Sequence, residues 1–513
     1  MKLNRAEYRN KVLGCWLGKN IGGTIGAPFE WMRQVNDVSF YTQEQLNGQP
    51  MPNDDLDIQL LWLCALEEKG TDVSAHRLAE YWVTYVTPHW SEYGTGKINM
   101  RQGLPPPLSG TFRNDFKDSC GAYIRSEIWA CIAPGAPALA AKYAYEDAIL
   151  DHGNGEGVHA EVFMAALESA AFVTPSLRDC VAIALSYIPA DCGVARAVRT
   201  TLKCFDSQMP WREMRDEVLR LHRGRLAGWQ VSDEDCAKGF DTGKLGYDVP
   251  SNIAFTLAGL LYGGDDFGAV QCVCVNCGED TDCTAATAGS VWGILHGAGA
   301  IPQKWIDPIG RGIRTVCLNL GELGYFGNQL PGDVDNLTDR TVAIAERVSR
   351  NHGGASSFTD GASESAAPAQ LSSADSGRGL IWNNAIGPRY DFDLMSAVVD
   401  YGAEGPLARP GEPKTVRVIL TNTYKTQLNL SLHLYAPESW AIAPAPDGYF
   451  LLLPPHMVDY KPQVMEYTFT IPAMPKSTLR AALEITVEGR PTVMLIPLVL
   501  LNGSLYPAPA AAE

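Results

Sequence analysis

Up to about residue 350, apolar residues recur at three- and four-residue spacing. Runs such as HRLAEYWVTYV, PALAAKYAYEDAIL, HAEVFMAALESAAFV and NIAFTLAGLLYG carry this pattern, which is that of helices with one or more buried faces. Gly, Pro and Asp punctuate them, as helix starts and stops require. The pattern predicts an all-α domain over residues 1–350, packed as a globular orthogonal array. Residues 351–380 break it. NHGGASSFTDGASESAAPAQLSSADSGR is rich in Ser, Ala and Gly and poor in large apolar residues, the composition of a linker or a loosely held crossing segment. From 381 to 513 the period changes to two. In KTVRVILTN, Val416, Val418 and Leu420 fall on one side; in TQLNLSLHLY, Leu428, Leu430, Leu432 and Leu434 do so. MEYTFTI, AALEITVEG and TVMLIPLVLL follow, separated by Pro and Gly. Short alternating segments between turns predict a small all-β sandwich, Ig-like, that buttresses the helical domain or forms an oligomer contact.

Composition agrees with more than one core. The chain has 513 residues, of which 46% are apolar, too long for a single ordinary domain and far from disorder. A net charge of −17 argues against nucleic acid or an anionic membrane as a main partner. No apolar run is long enough to span a bilayer, and MKLNRAEYRN has no apolar leader segment. Thirteen cysteines, an odd number, suggest reduced thiols, and a cytoplasmic location is expected. Cys272, Cys274 and Cys277 lie close together, but no second Cys or His pair stands at zinc-like spacing. They read as small apolar residues of a helix.

Two acidic clusters, far apart in the chain, change the picture. Asn53-Asp54-Asp55-Leu56-Asp57 precedes IQLLWLCALEE, and Asp280-Thr281-Asp282 precedes CTAATAGSVWGILHG. Carboxylates set against apolar helices are unfavourable unless something cancels their charge. Capping of the helix starts is one account, but three aspartates in five residues exceed what one cap needs. A hard divalent cation, Mg²⁺ or Mn²⁺, is the other account, since it prefers oxygen ligands. The clusters therefore read as two halves of one metal site. The Ala- and Gly-rich run after the second cluster lets that helix approach its neighbours closely.

These residues resemble the ADP-ribosylglycohydrolases, including the dinitrogenase reductase-activating glycohydrolases, over roughly residues 8–345. GCWLGKNIGGTIGAPFE (14–30) looks like the family's opening helix ending in a glutamate, and NDDLD resembles its Thr/Ser-Asp-Asp-Thr motif. SCGAYIR (119–125) resembles Gly-Asn-Gly-Ala-x-x-Arg, and DHGNGEGVHAEVFMAALESAAF (151–172) resembles the helix opened by Thr-His. NCGEDTDCTAATAGSVWGILHG (276–297) resembles the distinctive Gly-x-Asp-x-Asp-Thr turn entering an Ala/Gly helix. The resemblance implies a compact all-α domain with two Mg²⁺ ions in a cleft. By position, Asp54 and Asp55 would be ligands of the first metal, and Asp280 and Asp282 would bind or bridge the pair. Glu30 would sit on a mobile loop near the second. Asn53 stands where the family has a hydroxyl residue and keeps an amide oxygen for a metal. Cys283 stands where the family has Thr, and a thiol is a poor Mg²⁺ ligand.

The implied reaction is hydrolysis of an N- or O-ribosyl linkage, in a small molecule or on a protein, by metal-activated water with inversion at the anomeric carbon. Asp55 or Glu30 would deprotonate the water. Gly121, Arg125, His152 and Gly153 would line the substrate pocket. For Arg125 an ion pair, for His152 a helix start and for Gly153 a plain turn are the structural alternatives, and Glu127 reads as structural. Trp90, Tyr93 and Pro105-Pro106-Pro107 would rim the entrance. SCG lacks the family's Asn, and residues 90–118 and the β domain are additions, so another ribosyl or furanosyl glycoside is an alternative substrate. A non-catalytic crystallin-like protein and an ADP-ribose binder without turnover are the others.

Overall fold

The computed structural model describes residues 1–225, 230–318, 329–373 and 386–506. The chain divides into two compact units, one of Met1–Lys97 with Ser109–Ile381 and one of Ile98–Leu108 with Trp382–Glu513.

The first unit is helical. Its opening helix, Arg5–Gly26, starts at Asn4, whose side chain accepts hydrogen bonds from the backbone N–H of Ala6 and Glu7, both at 3.0 Å. It packs antiparallel on the helix Thr281–His296 along a ladder of small residues. A Cβ at Gly14 would lie 2.4 Å from the Gly293 carbonyl oxygen, one at Gly18 2.1 Å from that of Gly289, and one at Gly22 2.2 Å from that of Ala285. Every fourth residue of the opening helix thus lacks a side chain where the other backbone passes, and the helices come closer than larger side chains permit. The helices Glu156–Ala171 and Val249–Gly263 are buried nearly all round, as their continuous apolar sequences require. Trp62 lies between Trp82 and Trp129 with ring centroids 6.1 and 6.4 Å away. The indole N–H groups of Trp62 and Trp129 both donate to Asp147 Oδ2, at 2.7 and 3.0 Å.

The expected linker behaves differently over its described part. Ser357–Thr359 pairs in parallel with Lys2–Asn4. Further on, Tyr187 donates to the Leu371 carbonyl at 2.7 Å, and the backbone N–H of Ser373 donates to Ser186 Oγ at 2.8 Å. Residues 357–373 are therefore attached to the helical unit, largely by backbone groups that a Ser/Ala/Gly composition does not advertise. Residues 374–380 lie outside the described residues.

The second unit holds two five-stranded sheets. One has the order Ala441–Ala443, Gln463–Thr470, Pro413–Asn422, Met395–Asp400, Arg389–Asp391; the other has Asp447–Leu452, Leu428–Tyr435, Thr478–Val487, Val493–Asn502, Leu407–Ala408. All pairs are antiparallel except the last. Val416, Val418, Leu420 and Leu428, Leu430, Leu432, Leu434 are buried, so each sheet covers one face as the alternation predicts. Gly103 and Tyr506 belong here: Tyr506 donates to Gln102 Oε1 at 3.1 Å. Among the described residues no helix is long and apolar enough to cross a membrane.

Candidate metal centre and active-site cleft

The helix ladder sets the site. At its last rung, a Cβ on Gly26 would lie 2.4 Å from the Asp282 Cα, so the end of the opening helix meets the start of Thr281–His296. The chain entering that start turns sharply, with φ of +73° at Gly278 and +71° at Glu279. Only glycine fits the first position, since a Cβ there would lie 2.1 Å from the Gln34 carbonyl. The loop after the opening helix is tied to this turn. Glu279 N–H donates to the Met32 carbonyl at 2.8 Å, Trp31 N–H to the Glu279 carbonyl at 3.1 Å, and the buried Arg33 guanidinium clasps the Glu279 carboxylate. Glu30 is thereby held beside Asp280 and Asp282.

The first acidic cluster arrives on the helix Asp54–Lys69. Asn53 caps it: its side-chain oxygen accepts from Asp55 N–H at 2.8 Å. The aspartates are thus relieved of capping. Asp54 lines the cleft, and Asp55 is wholly buried with Oδ1 3.4 Å from Cys283 Sγ. Asp57 leaves the cluster, accepting the backbone N–H groups of Val316 and Cys317 at 2.6 and 2.7 Å. Asp280 stands at the N-cap of its helix without capping it. Three overlapping groups result, each with its ligand atoms within 4.8 Å of one another: Glu30, Asp280 and Asp282; Asp55, Asp282 and Cys283; Cys120, Asp248 and Asp280.

A model of the ADP-ribosylglycohydrolase family matches residues 4–341. The chain belongs to the ADP-ribosylglycohydrolase family. It is thus an enzyme of a glycosyl hydrolase family that acts on ADP-ribosyl linkages. A comparison with curated proteins finds no match.

The electrostatics of the glycohydrolase cleft are lopsided. Burial, then Asp282, Asp54 and Asp55, pushes the Glu30 carboxyl up to about 10. Burial pushes Asp55 up to about 7 although Lys19, 3.7 Å away, opposes it. Asp280 and Asp282 are raised well above the usual carboxylate range, by burial first, then by Glu30 on Asp280 and by Asp280 and Asp55 on Asp282. Buried carboxylate oxygens of Asp55, Asp280, Asp282 and Asp248 have no hydrogen-bond partner. Orphaned acceptors of this kind fit a divalent cation, which would satisfy them and let several carboxylates ionise together.

The cleft has a volume of about 570 Å³. Its acidic floor is overhung by Trp31, Trp90, Tyr93 and Phe116. Trp31 and Trp90 are 55% and 50% exposed, and Trp90 stacks on Tyr93 with centroids 6.5 Å apart.

Of the further residues picked from the sequence, Gly121 lines the cleft. Arg125 is wholly buried, bound to Asp151 at 2.9 and 3.0 Å and to Asp147 at 3.0 Å, and it donates to the Gly121 carbonyl at 2.8 Å. It supports the wall from behind. His152 is also wholly buried, its Nδ1 2.8 Å from Asp151 Oδ1 and its Nε2 3.5 Å from Oγ of Ser119, a cleft residue. Gly153, at φ +58°, packs on Thr111. Glu127 receives Lys19 at 2.7 Å and Gln59 at 2.8 Å. Sequence reasoning missed Asp248, Glu92 and Cys120, all in the cleft wall. Asp248 carried a signal: it stands immediately before a helix with Pro250 in its first turn.

Proposed function

We propose that this glycohydrolase uses divalent cations, Mg²⁺ or Mn²⁺, to cleave an N- or O-ribosyl linkage of an ADP-ribosyl-type substrate. One observation carries the reading: carboxylates from four separate segments, several with unpartnered oxygens, converge on the floor of one cleft. Asp54, Asp55, Asp280, Asp282 and Glu30 would hold the cations, with the remaining lone pair of the Asn53 amide oxygen alongside. Bound there, the cations supply positive charge that orients ribose hydroxyls and acidifies water near neutral pH.

Glu30 is the better placed of the two candidate bases. It lines the cleft and is partly exposed, whereas Asp55 is enclosed beside Lys19 and Cys283. As the attacking water oxygen bonds to the anomeric carbon, Glu30 takes its proton and the leaving group departs on the opposite face with the bonding electron pair. The aromatic overhang of Trp31 and Trp90 suits a planar base. All thirteen cysteines are free, which supports a reducing, cytoplasmic setting.

A second reading, another ribosyl or furanosyl glycoside on the same centre, draws support from Cys120 in the cleft wall, where the family motif has Asn. A panel of ADP-ribosylated and simpler ribosides, assayed with Mg²⁺ and Mn²⁺, separates the two. On either reading, turnover stops on chelation with EDTA and returns with the cation. Undiminished turnover in EDTA would refute both.

A further inference from the structure

One stretch of the cleft wall differs in chemistry from the oxygen-only group of Glu30, Asp280 and Asp282. Cys120 is buried, and its Sγ lies 3.1 Å from Asp248 Oδ2. Asp248 is wholly buried at the N-cap position of the helix Val249–Gly263, yet its side chain does not cap that helix and its Oδ1 has no partner. Asp280 repeats the arrangement at the helix Thr281–His296, again with an unpartnered Oδ1. Two carboxylates thus decline the ordinary task of residues at helix starts and turn toward one thiol.

The three ligand atoms lie within 4.8 Å of one another, and all three residues face the cleft. An ion about 2.0–2.3 Å from each needs only small side-chain rotations, and the cleft leaves its fourth position open. Sulfur in the set disfavours Mg²⁺ and favours softer divalent ions.

We propose that Cys120, Asp248 and Asp280 form a subsite for a borderline transition ion, Zn²⁺ first, adjoining the oxygen-only set and sharing Asp280 with it. The inference rests on the reading of Asp280 as a metal ligand. Uptake of the ion expels the Cys120 thiol proton to solvent. Among the described residues, the thiol-bearing group that lies outside the cleft does not compare: in Glu156, His159 and Cys192, both Glu156 oxygens already accept backbone N–H groups, of Gly193 at 2.7 Å and Val194 at 3.0 Å.

The test uses the full chain, stripped with a chelator and titrated with Co²⁺. A thiolate-to-cobalt charge-transfer absorption in the near ultraviolet is expected, displaced by Zn²⁺ but not by excess Mg²⁺. The band should vanish in Cys120→Ser and persist in Cys283→Ser, and Asp248→Asn should weaken Zn²⁺ binding about tenfold or more. Thermal unfolding of each variant verifies that it is folded. No band in the unaltered protein, or any other pattern among the cysteine variants, overturns the proposal. Calorimetry with Mg²⁺ keeps the two readings apart. Heat of Mg²⁺ binding without a cobalt band removes only this subsite; absence of both removes the metal reading of the cleft as well.

Discussion

Glu279 and Asp280 are chain neighbours, and both are buried, yet they belong to opposite regimes. Glu279 is clasped by Arg33 and receives Ser251 Oγ at 3.3 Å. Asp280 is grouped with Glu30 and Asp282 on one side and with Asp248 and the Cys120 thiol on the other, and one of its oxygens is unpartnered. The contrast extends to their surroundings. Behind the cleft, four buried acids are matched to cations: Glu279 to Arg33, Asp151 to Arg125, Asp235 to Arg215 and Glu127 to Lys19. On its floor they are not: among the described residues, the ion pair that reaches the acidic set is Lys19 with Asp55, at 3.7 Å. Burial is the same in both regions; what separates them is whether each charge has a partner within the protein. A matched pair holds a loop in place, whereas an unmatched set is arranged for a charge that comes from outside.

Breaking one member from each regime should give opposite outcomes. Arg33→Ala leaves Glu279 buried without its cation and loosens the loop that carries Glu30, so stability should fall by about 3–5 kcal/mol. Asp282→Asn removes a charge that has no partner, so the cation-free protein should unfold at the same denaturant concentration or a higher one. Its kcat/KM should nevertheless drop about 10²–10³-fold, on the scale of removing one group that stabilises transition-state charge. Denaturant unfolding in EDTA beside steady-state kinetics in Mg²⁺ measures both. If Asp282→Asn instead destabilised the cation-free protein as much as Arg33→Ala, the two regions would not differ in the way proposed.

The same contrast has a pH signature. Burial pushes Asp55, Asp57 and Asp248 up to about 7, and burial with its acidic neighbours pushes Glu30 up to about 10. Between about pH 4 and 7 the unfolded chain has released these protons while the folded one keeps them. The unfolded state then binds fewer protons, so stability falls as pH rises, by at most about 1.4 kcal/mol per pH unit for each retained proton. Asp151 has the opposite sign. Burial raises it, but Arg125 and His152 outweigh burial and hold it well below the usual range, so its contribution is present at neutral pH and lost on acidification. In EDTA the unfolding midpoint should decline from pH 5 to 8. Saturating Mg²⁺ should flatten that decline, because a cation lets the floor carboxylates ionise. A midpoint that climbed with pH in EDTA would mean that the floor is already neutralised from within.

How much of this was legible in the sequence depended on the range over which the deciding contact acts. The switch from three- and four-residue spacing to period two is local, and the helical and two-sheet regions follow it. Asp280 with Asp282, and Asp54 with Asp55, were visible because two acids share a short window. Asp57 sits in the same window but is claimed by the N–H groups of Val316 and Cys317, distant in the chain. Arg125 and His152 carried the right chemistry for a pocket wall, but both are drawn back to Asp151. Asp248 and Glu92 reach the cleft from different segments, and a single acid has no pattern; Cys120 lies within the SCGAYIR motif, but at a position where the family has Asn, so the motif does not mark it as a thiol ligand. The glycines at 14, 18, 22 and 26 belong to a helix motif visible in the sequence, yet their meaning lies in the facing Gly293, Gly289, Ala285 and Asp282. The strand Ser357–Thr359 pairs through its backbone with Lys2–Asn4, a contact that side-chain composition does not encode.

The smallest effect should come from the rim, where neither regime operates. Trp90 is half exposed and touches the site through its stack on Tyr93, so its removal deletes contact area without stranding a charge. Trp90→Ala should therefore leave stability within about 0.5 kcal/mol of the unaltered protein. If Trp90 stacks on the base of an ADP-ribosyl substrate, the loss should be about 1 kcal/mol, the lower end for one base on one ring. KM then rises about fivefold with kcat unchanged, because stacking far from the anomeric carbon is equal in the ground and transition states. The same variant assayed on a riboside that lacks the base should show no change. An equal rise in KM for both substrates would place Trp90 against the ribose instead, and a fall in kcat would mean that the rim helps to shape the floor, joining two regions that the charge pattern keeps distinct.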